Sequence, residues 1–250
     1  MLFRSARLEM GWHPCLTLDR PVLPPEEVPS LVTREGTFWP PGSFLRRVLL
    51  RQIVAAEIEA ELQAQYKRFQ VLVGRPPAAV NAHHHVQVIP PIGRMLEDLL
   101  RQQRPRPYFR RVREPWSMLM RVSGGRGKRT LLSVLGSWAA RRQKRAGFPG
   151  NDWLAGITNP PCVAEPDFLT RWLRRVPGEV VELTCHPGFR DTTLIGRDCN
   201  ADKPQILRRE REYHLLRHAS FAAACRQAGF TLIPPGKVAE SPGRGKADAA

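Results

Sequence analysis

Three of the chain's seven histidines stand side by side in Asn81-Ala82-His83-His84-His85-Val86-Gln87, inside an otherwise apolar run that ends at Pro90-Pro91. Read as a buried strand from Val80 to Ile89, the run alternates its side chains. Asn81, His83, His85 and Gln87 then share one face, and Ala82, His84, Val86 and Val88 the other. Two imidazoles flanked by two amides could hold a transition metal, since neutral imidazole is the commonest protein ligand for one. A pair of hydrogen-bonded core histidines satisfies the same pattern. Two further histidines fall on strand-like stretches: His13 within Leu8–Leu18, and His186 where Gly178–Cys185 runs into a His-Pro-Gly turn. The C-terminal end of a strand is where active sites collect in α/β folds. Two imidazoles leave a divalent ion under-coordinated, because a catalytic centre takes three protein ligands and a water. A carboxylate is the natural third. Asp19, Asp152 and Asp191 qualify by type, and none lies on a clear strand beside the histidines.

The elements that must position these groups follow from periodicity. Arg20–Pro41 holds six prolines and reads as an ordered loop. Ser43 is expected to cap one amphipathic helix running to Val73, stopped by Gly74-Arg75-Pro76-Pro77. After the histidine strand come a helix over Ile92–Gln103 and a short strand over Tyr108–Arg113. Ser123–Thr130 looks superficially like a phosphate-binding loop, but Lys128 is followed by Arg129 where that motif needs Ser or Thr, so it reads as a basic surface loop. Helices are expected over Leu131–Arg145, Glu165–Arg175 and Ile206–Ala228, a loop over Gly147–Pro161, a last strand over Phe230–Ile233, and a disordered tail over 237–250. Helix and strand alternate with short links, which argues for parallel strands in α/β layers.

Composition narrows the function classes. The 250 residues carry 39 Lys+Arg against 23 Asp+Glu, a net charge of +16. That charge suits nucleic acid or an anionic lipid surface, and a non-enzymatic basic binding protein is the alternative function. No zinc-finger or basic-zipper motif accompanies the charge, so specific nucleic-acid binding is not expected. The five cysteines are odd in number, widely spaced and free of any CxxC pair, which indicates neither a disulfide framework nor a zinc ribbon. A cytoplasmic protein is expected. No apolar run reaches the ~18 residues that a membrane helix needs.

Several segments, in order, resemble the YdjC-like family of carbohydrate deacetylases. Gly11-Trp12-His13-Pro14-Cys15-Leu16-Thr17 followed by Arg20-Pro21 is similar to the family's G-x-H-x-x-L-T…(R/K)-P. Pro29-Ser30-Leu31-Val32 with Gly36-Thr37-Phe38 is similar to P-S-L-V…G-x-F. Asn81–Gln87 resembles its D-S-H-H-H-V-H, with Asn81 in place of Asp and Gln87 in place of His. Cys185-His186-Pro187-Gly188-Phe189 with Asp191 resembles C-H-P-G-(Y/F)-x-D, and Arg209–Leu216 resembles R-x-x-E-(L/Y)-x-x-L. The Val22–Pro29 wording leans towards the hopanoid-associated branch.

The resemblance implies an irregular (β/α) TIM-like barrel of the glycoside hydrolase and deacetylase type. The deacetylase domain is expected over 8–236 and lacks the first βα unit, whose strand carries an Asp-Asp pair in family members. It implies a divalent metal ion, magnesium or zinc, with His13 and His83 as ligands. His85, Asn81 and Asp191 become substrate or outer groups, and His186 an acid or transition-state donor. The implied reaction is hydrolysis of an N-acetyl group from an amino sugar or glycolipid, in a chain that could pair as a homodimer. Without the Asp-Asp carboxylates, these 250 residues are expected to be poorly active.

Overall fold

The structure is a computed structural model, and it describes residues 9–121, 125–155, 176–189 and 204–240. The chain divides into two compact units: Met1–Arg110 with Leu135–Gly150 and Pro234–Ala250, and Arg111–Val134 with Asn151–Ile233.

In the first unit, β1 (Gly11–Trp12), β2 (Ala79–Val80) and β3 (Tyr108–Phe109) form a parallel sheet in the order β1-β2-β3, with Gly11 opposite Ala79 and Ala79 opposite Tyr108. Parallel neighbours need crossovers. These are α1 (Pro41–Leu49) and α2 (Ala55–Val73) between β1 and β2, and α3 (Pro90–Leu100) between β2 and β3. Proline, which has no N–H for a ladder, limits the strands where Pro14 follows β1, Pro77 precedes β2 and Pro107 precedes β3. Trp12, Leu16, Val80 and Phe109 pack against Ile58 and Leu62 of α2 and Ile92, Leu96 and Leu100 of α3.

The second unit holds α4 (Trp116–Arg121), a parallel pair β4 (Trp153–Ala155) and β5 (Val181–Leu183), and helices α6 (Pro204–Arg217) and α7 (Ala219–Gln227). Met118, Ala155, Phe221 and Cys225 cluster there. Helix α5 (Arg126–Arg145) runs through the division of the chain at Val134, and α8 (Pro235–Glu240) belongs to the first unit.

Several expected elements take a different form. The helix expected from Ser43 to Val73 is two helices, and Pro40 rather than Ser43 stands at the first N-cap. The break follows from Arg51, at φ 57°, and from Val54, extended at φ −81° and ψ 121°. Ser30 Oγ accepts the Val54 N–H at 2.9 Å, a cap supplied from 24 residues upstream that periodicity does not reveal. Gly74 ends α2 in the left-handed region at φ 74°, as its sequence context indicated. The basic stretch before Leu131 is helical from Arg126 onward. Trp153–Ala155 is a strand inside the expected Gly147–Pro161 loop, because β5 supplies its ladder. The expected Ile206–Ala228 helix breaks at His218, whose Nδ1 accepts the Ser220 N–H at 3.3 Å as the N-cap of α7. Phe230–Ile233 forms no strand, and the stretch after it begins with α8 rather than a tail: Gly236 N–H donates to Glu9 at 2.7 Å. The helix expected over Glu165–Arg175 lies outside the described residues.

The Pro-rich loop is ordered by carboxylates of α2. Glu61, fully buried, accepts the Val22 and Leu23 N–H groups at 2.8 and 3.0 Å. Glu57 accepts Ser30 N–H and Oγ–H, both at 2.8 Å. Gln65 brackets Cys15, accepting its N–H at 2.9 Å and donating to its C=O at 2.6 Å. Prolines remove many competing conformations, and these three side chains pair backbone groups of the loop and of Cys15 ahead of it.

Candidate functional site

His13 and His83 are brought together by the edge of the β1–β2 ladder. Beyond the strands proper, Asn81 N–H donates to Trp12 C=O at 3.2 Å and His83 N–H to Pro14 C=O at 2.9 Å. These two bonds straddle His13, so His13 projects beside Asn81 and His83. Asn81 Oδ1 accepts a hydrogen bond from His13 Nδ1, which fixes the His13 tautomer and leaves Nε2 with its lone pair. His13 Nε2 lies 3.3 Å from His83 Nδ1, and the two rings meet edge to face with centroids 5.5 Å apart.

The histidine run itself is not a strand. β2 ends at Val80, and His83–Val88 is a tight 3-10 segment in which His84 (φ 49°, ψ 22°) and His85 (φ 61°, ψ 29°) are both left-handed. The expected sharing of one face by Asn81, His83, His85 and Gln87 is therefore overturned. The turn gives the three imidazoles different partners. His83 meets His13. His84, expected to point away, packs against the His83 ring at a tilt of 55° with centroids 3.9 Å apart and places Nδ1 2.8 Å from the Oγ1 of the buried Thr17. His85 joins neither contact. Val86 and Val88 enter the core and anchor the turn.

Gln87 is fully buried, and its amide has no hydrogen-bond partner among the described residues. Helix α3 backs the turn closely. A Cβ on Gly93 would fall 2.4 Å from the Gln87 carbonyl oxygen and 2.1 Å from Arg142 Nη2, so only glycine fits there. Arg142 in turn pairs with Glu97 of α3 at 2.9 Å. Burial pushes the Glu97 carboxyl above its usual range, and the Arg142 guanidinium opposes that rise.

His13 is exposed, yet partial desolvation by the neighbouring protein atoms holds its pKa below the ordinary 6.5; the Asn81 hydrogen bond opposes the shift, and His83 and Arg110 reinforce it. The shift favours the neutral form, the one that donates a lone pair. The sign of the linkage is definite. Between the folded-state pKa and about 6.5, the unfolded chain binds more protons at His13 than the folded chain. Its contribution to stability is complete above about pH 6.5 and is lost as the pH falls towards the folded value. Without divalent ions, the urea midpoint is expected to be lower at pH 5 than at pH 7.5, with His13→Gln narrowing the difference. An unchanged difference in that variant would assign the pH dependence elsewhere.

The imidazole spacing fits a cation. In a tetrahedral centre with nitrogens at about 2.0–2.1 Å from the ion, adjacent ligand nitrogens stand roughly 3.3–3.4 Å apart, and His13 Nε2 and His83 Nδ1 are separated by 3.3 Å. Among the described residues, no group of three His, Cys, Asp or Glu side chains converges, so the pair offers two ligands. Of the carboxylates that qualified by type, Asp152 is engaged in structure, accepting the Glu179 and Val180 N–H groups at 3.0 and 3.1 Å. Asp191 lies outside the described residues. Asp19 lines an open groove of about 320 Å³ together with Trp12, His13, Arg68 and Phe69. Aromatic and polar side chains side by side are what a sugar face and its hydroxyls need.

His186 lies in the second unit, in the turn after β5. Glu212 and Arg208 of α6 hold it: His186 N–H donates to Glu212 Oε2 at 2.5 Å, and Arg208 Nη2 lies 3.2 Å from His186 Nδ1. Glu212 falls within the R-x-x-E pattern noted in the sequence. Arg208 was not singled out, although its i,i+4 spacing to Glu212 on a helix was a legible signal. No helix among the described residues is long and apolar enough to cross a membrane.

Comparison with known proteins places this geometry among relatives. A chitooligosaccharide deacetylase of Serratia marcescens is 29% identical over 229 residues, covering 90% of this chain and 76% of the relative. One of Yersinia pestis (strain Pestoides F) is 28% identical over 192 residues, covering 75% of this chain, and those residues span 64% of that relative's length. A solved structure from Enterococcus faecalis V583, of a protein assigned to cellobiose-phosphate cleavage, superposes with a TM-score of 0.67 at 23% identity, covering 92% of this chain and 78% of the other. It supports a mixed α/β fold with parallel strands. The model described as YdjC-like protein matches residues 2–227, a span that includes His13, the histidine turn and the His186–Glu212 pairing, and the chain belongs to the YdjC-like family.

Proposed function

We propose that the chain is a metal-dependent carbohydrate deacetylase that releases acetate from an N-acetylated amino sugar or glycolipid, on an irregular (β/α) barrel. The observation that carries this reading is the His13–His83 pair, spaced 3.3 Å apart with His13 oriented by Asn81. His13 and His83 would hold a divalent ion, magnesium or zinc, which supplies Lewis acidity towards water and an acyl oxygen. The protein's own residues do the rest. Partial desolvation favours the neutral, ligating form of His13. Asn81 fixes its tautomer, and the adjoining His84, tied to Thr17, steadies the His83 ring. His85 keeps the outer role that the resemblance implies. The groove beside His13 offers Phe69 to a sugar face and Asp19 and Arg68 to its hydroxyls. His186 takes the part of acid or transition-state donor.

A carboxylate must take the proton of the attacking water, and the family resemblance assigns that role, with a third ligand, to an Asp-Asp pair. The 250 residues contain no such pair. Acetate release from an N-acetylglucosamine oligomer is therefore expected to be slow with these residues alone. It should rise at least about a hundredfold, the worth of a general base, when a strand bearing Asp-Asp is joined ahead of residue 1, and fall on chelation. Equal release by both forms would defeat the assignment of the base. Release indifferent to a chelator would defeat the metal.

A further inference from the structure

His186 is gripped at two points by residues four apart on one helix. Glu212 Oε2 accepts its backbone N–H at 2.5 Å, and Glu212 Oε1 accepts Arg208 Nε–H at 2.7 Å. Arg208 Nη2 closes the ring on His186 Nδ1 at 3.2 Å. Both α6 side chains are largely buried, at 12% and 8% exposure, while His186 itself is exposed. These contacts order an exposed ring from the α6 side.

The chemistry of the closing bond is one-sided. A guanidinium has five N–H donors and no acceptor. A hydrogen bond between Arg208 Nη2 and His186 Nδ1 therefore requires Nδ1 to accept. In a neutral imidazole the other nitrogen then carries the hydrogen. A doubly protonated ring would set N–H against N–H at this point and break the contact. We propose that Arg208 and Glu212 are positioning residues that hold His186 as its neutral Nε2–H tautomer, so that it serves as a hydrogen-bond donor to developing negative charge and not as a proton shuttle.

Glu212 has a distinct task. It orients the guanidinium through Oε1 and fixes the turn through Oε2, so Arg208 and His186 move as one body. A neutral imidazole can polarise a carbonyl without transferring its proton, and a preorganised donor of this kind costs no reorganisation as charge develops. What the donor acts on rests on the deacetylase reading. The tautomer does not.

The test reads the ring directly. In the ¹⁵N-labelled 250-residue chain, long-range ¹H–¹⁵N correlation at pH 7.5, assigned with His186→Gln, is expected to show His186 with protonated Nε2 and bare Nδ1. Arg208→Met is expected to shift both nitrogens towards averaging between tautomers, and Arg208→Lys, which keeps a donor, to restore the wild-type pattern in part. An Nδ1–H signal in the wild-type chain would overturn the proposal whether or not any variant folds. So would ring signals unchanged in a folded Arg208→Met. In the form carrying an Asp-Asp strand, Arg208→Met is expected to lower kcat about tenfold, the effect of one lost charge-assisted hydrogen bond. The wild-type tautomer pattern found in a chain whose Asp-Asp form releases no acetate would sink the deacetylase reading and sustain the role of Arg208.

Discussion

Replacing either His13 or His83 with alanine is expected to weaken divalent-ion binding about a hundredfold. A four-ligand zinc centre contributes roughly 10–16 kcal/mol, so each ligand accounts for about 3 kcal/mol, or two powers of ten in affinity. Here each imidazole is one half of the available pair, and neither neighbour in the run can take its place. His84 is committed to Thr17, and the turn carries His85 elsewhere. Calorimetric titration with Zn²⁺ at pH 7.5 checks this, with His85→Ala as the control expected to change affinity little. Asn81→Asp should act in the opposite sense. A carboxylate accepting from His13 Nδ1 raises the basicity of Nε2, and outer partners of this kind are worth about 10–100-fold in metal affinity. Wild-type affinity in His83→Ala would show that the 3.3 Å pair is an ordinary hydrogen bond and no ligand set.

The second large effect concerns stability. Glu114→Ala is expected to destabilise the second unit by ~3–5 kcal/mol, because it strands a guanidinium in the interior. The Arg129 side chain is 1% exposed and that of Glu114 3%. Arg129 Nε lies 3.1 and 3.0 Å from the two Glu114 oxygens, Nη2 binds Glu114 as well, and Nη2 also reaches the Met118 carbonyl at 3.3 Å. Removing both charges together, as Glu114→Leu with Arg129→Met, should cost far less, since no ion is left without its partner. Urea unfolding followed by tryptophan fluorescence separates the cases, as Trp116 and Trp153 lie in this unit. A double variant as unstable as Glu114→Ala would mean that the pair, and not the avoidance of a lone charge, holds the segment. Against a typical total of ~5–15 kcal/mol for a domain, the single change removes a large fraction of the stability.

That ion pair also shows what a linear reading misses. Gly125-Arg126-Gly127-Lys128-Arg129 looked like a basic surface loop, yet Arg129 is buried and Arg126–Thr130 is helical. The reason is a carboxylate 15 residues away, which local propensity does not register. The break before α2 has the same origin, a serine cap from another segment. What was legible rested on local chemistry. Gly74 ended a helix where the sequence placed it, and the alternation of helices with short apolar runs gave parallel strands. The pairing of His13 with His83 was legible only as a resemblance, because 70 residues separate them. Period-two alternation failed at the histidines for a physical reason. Alternation assumes extended backbone, and the β1–β2 ladder is spent at Val80, after which two residues adopt the left-handed form.

The left-handed turn changes what a histidine triplet means. On a strand, three imidazoles would be two on one side and one on the other, and a lost member could be replaced by a register slip of two. Here the backbone breaks that alternation, at a conformational cost of roughly 1–2 kcal/mol for each left-handed residue. The repeat thus encodes three different assignments: His83 to a ring across the sheet edge, His84 to a threonine and to the His83 ring, and His85 to neither contact. The run has repetition without redundancy.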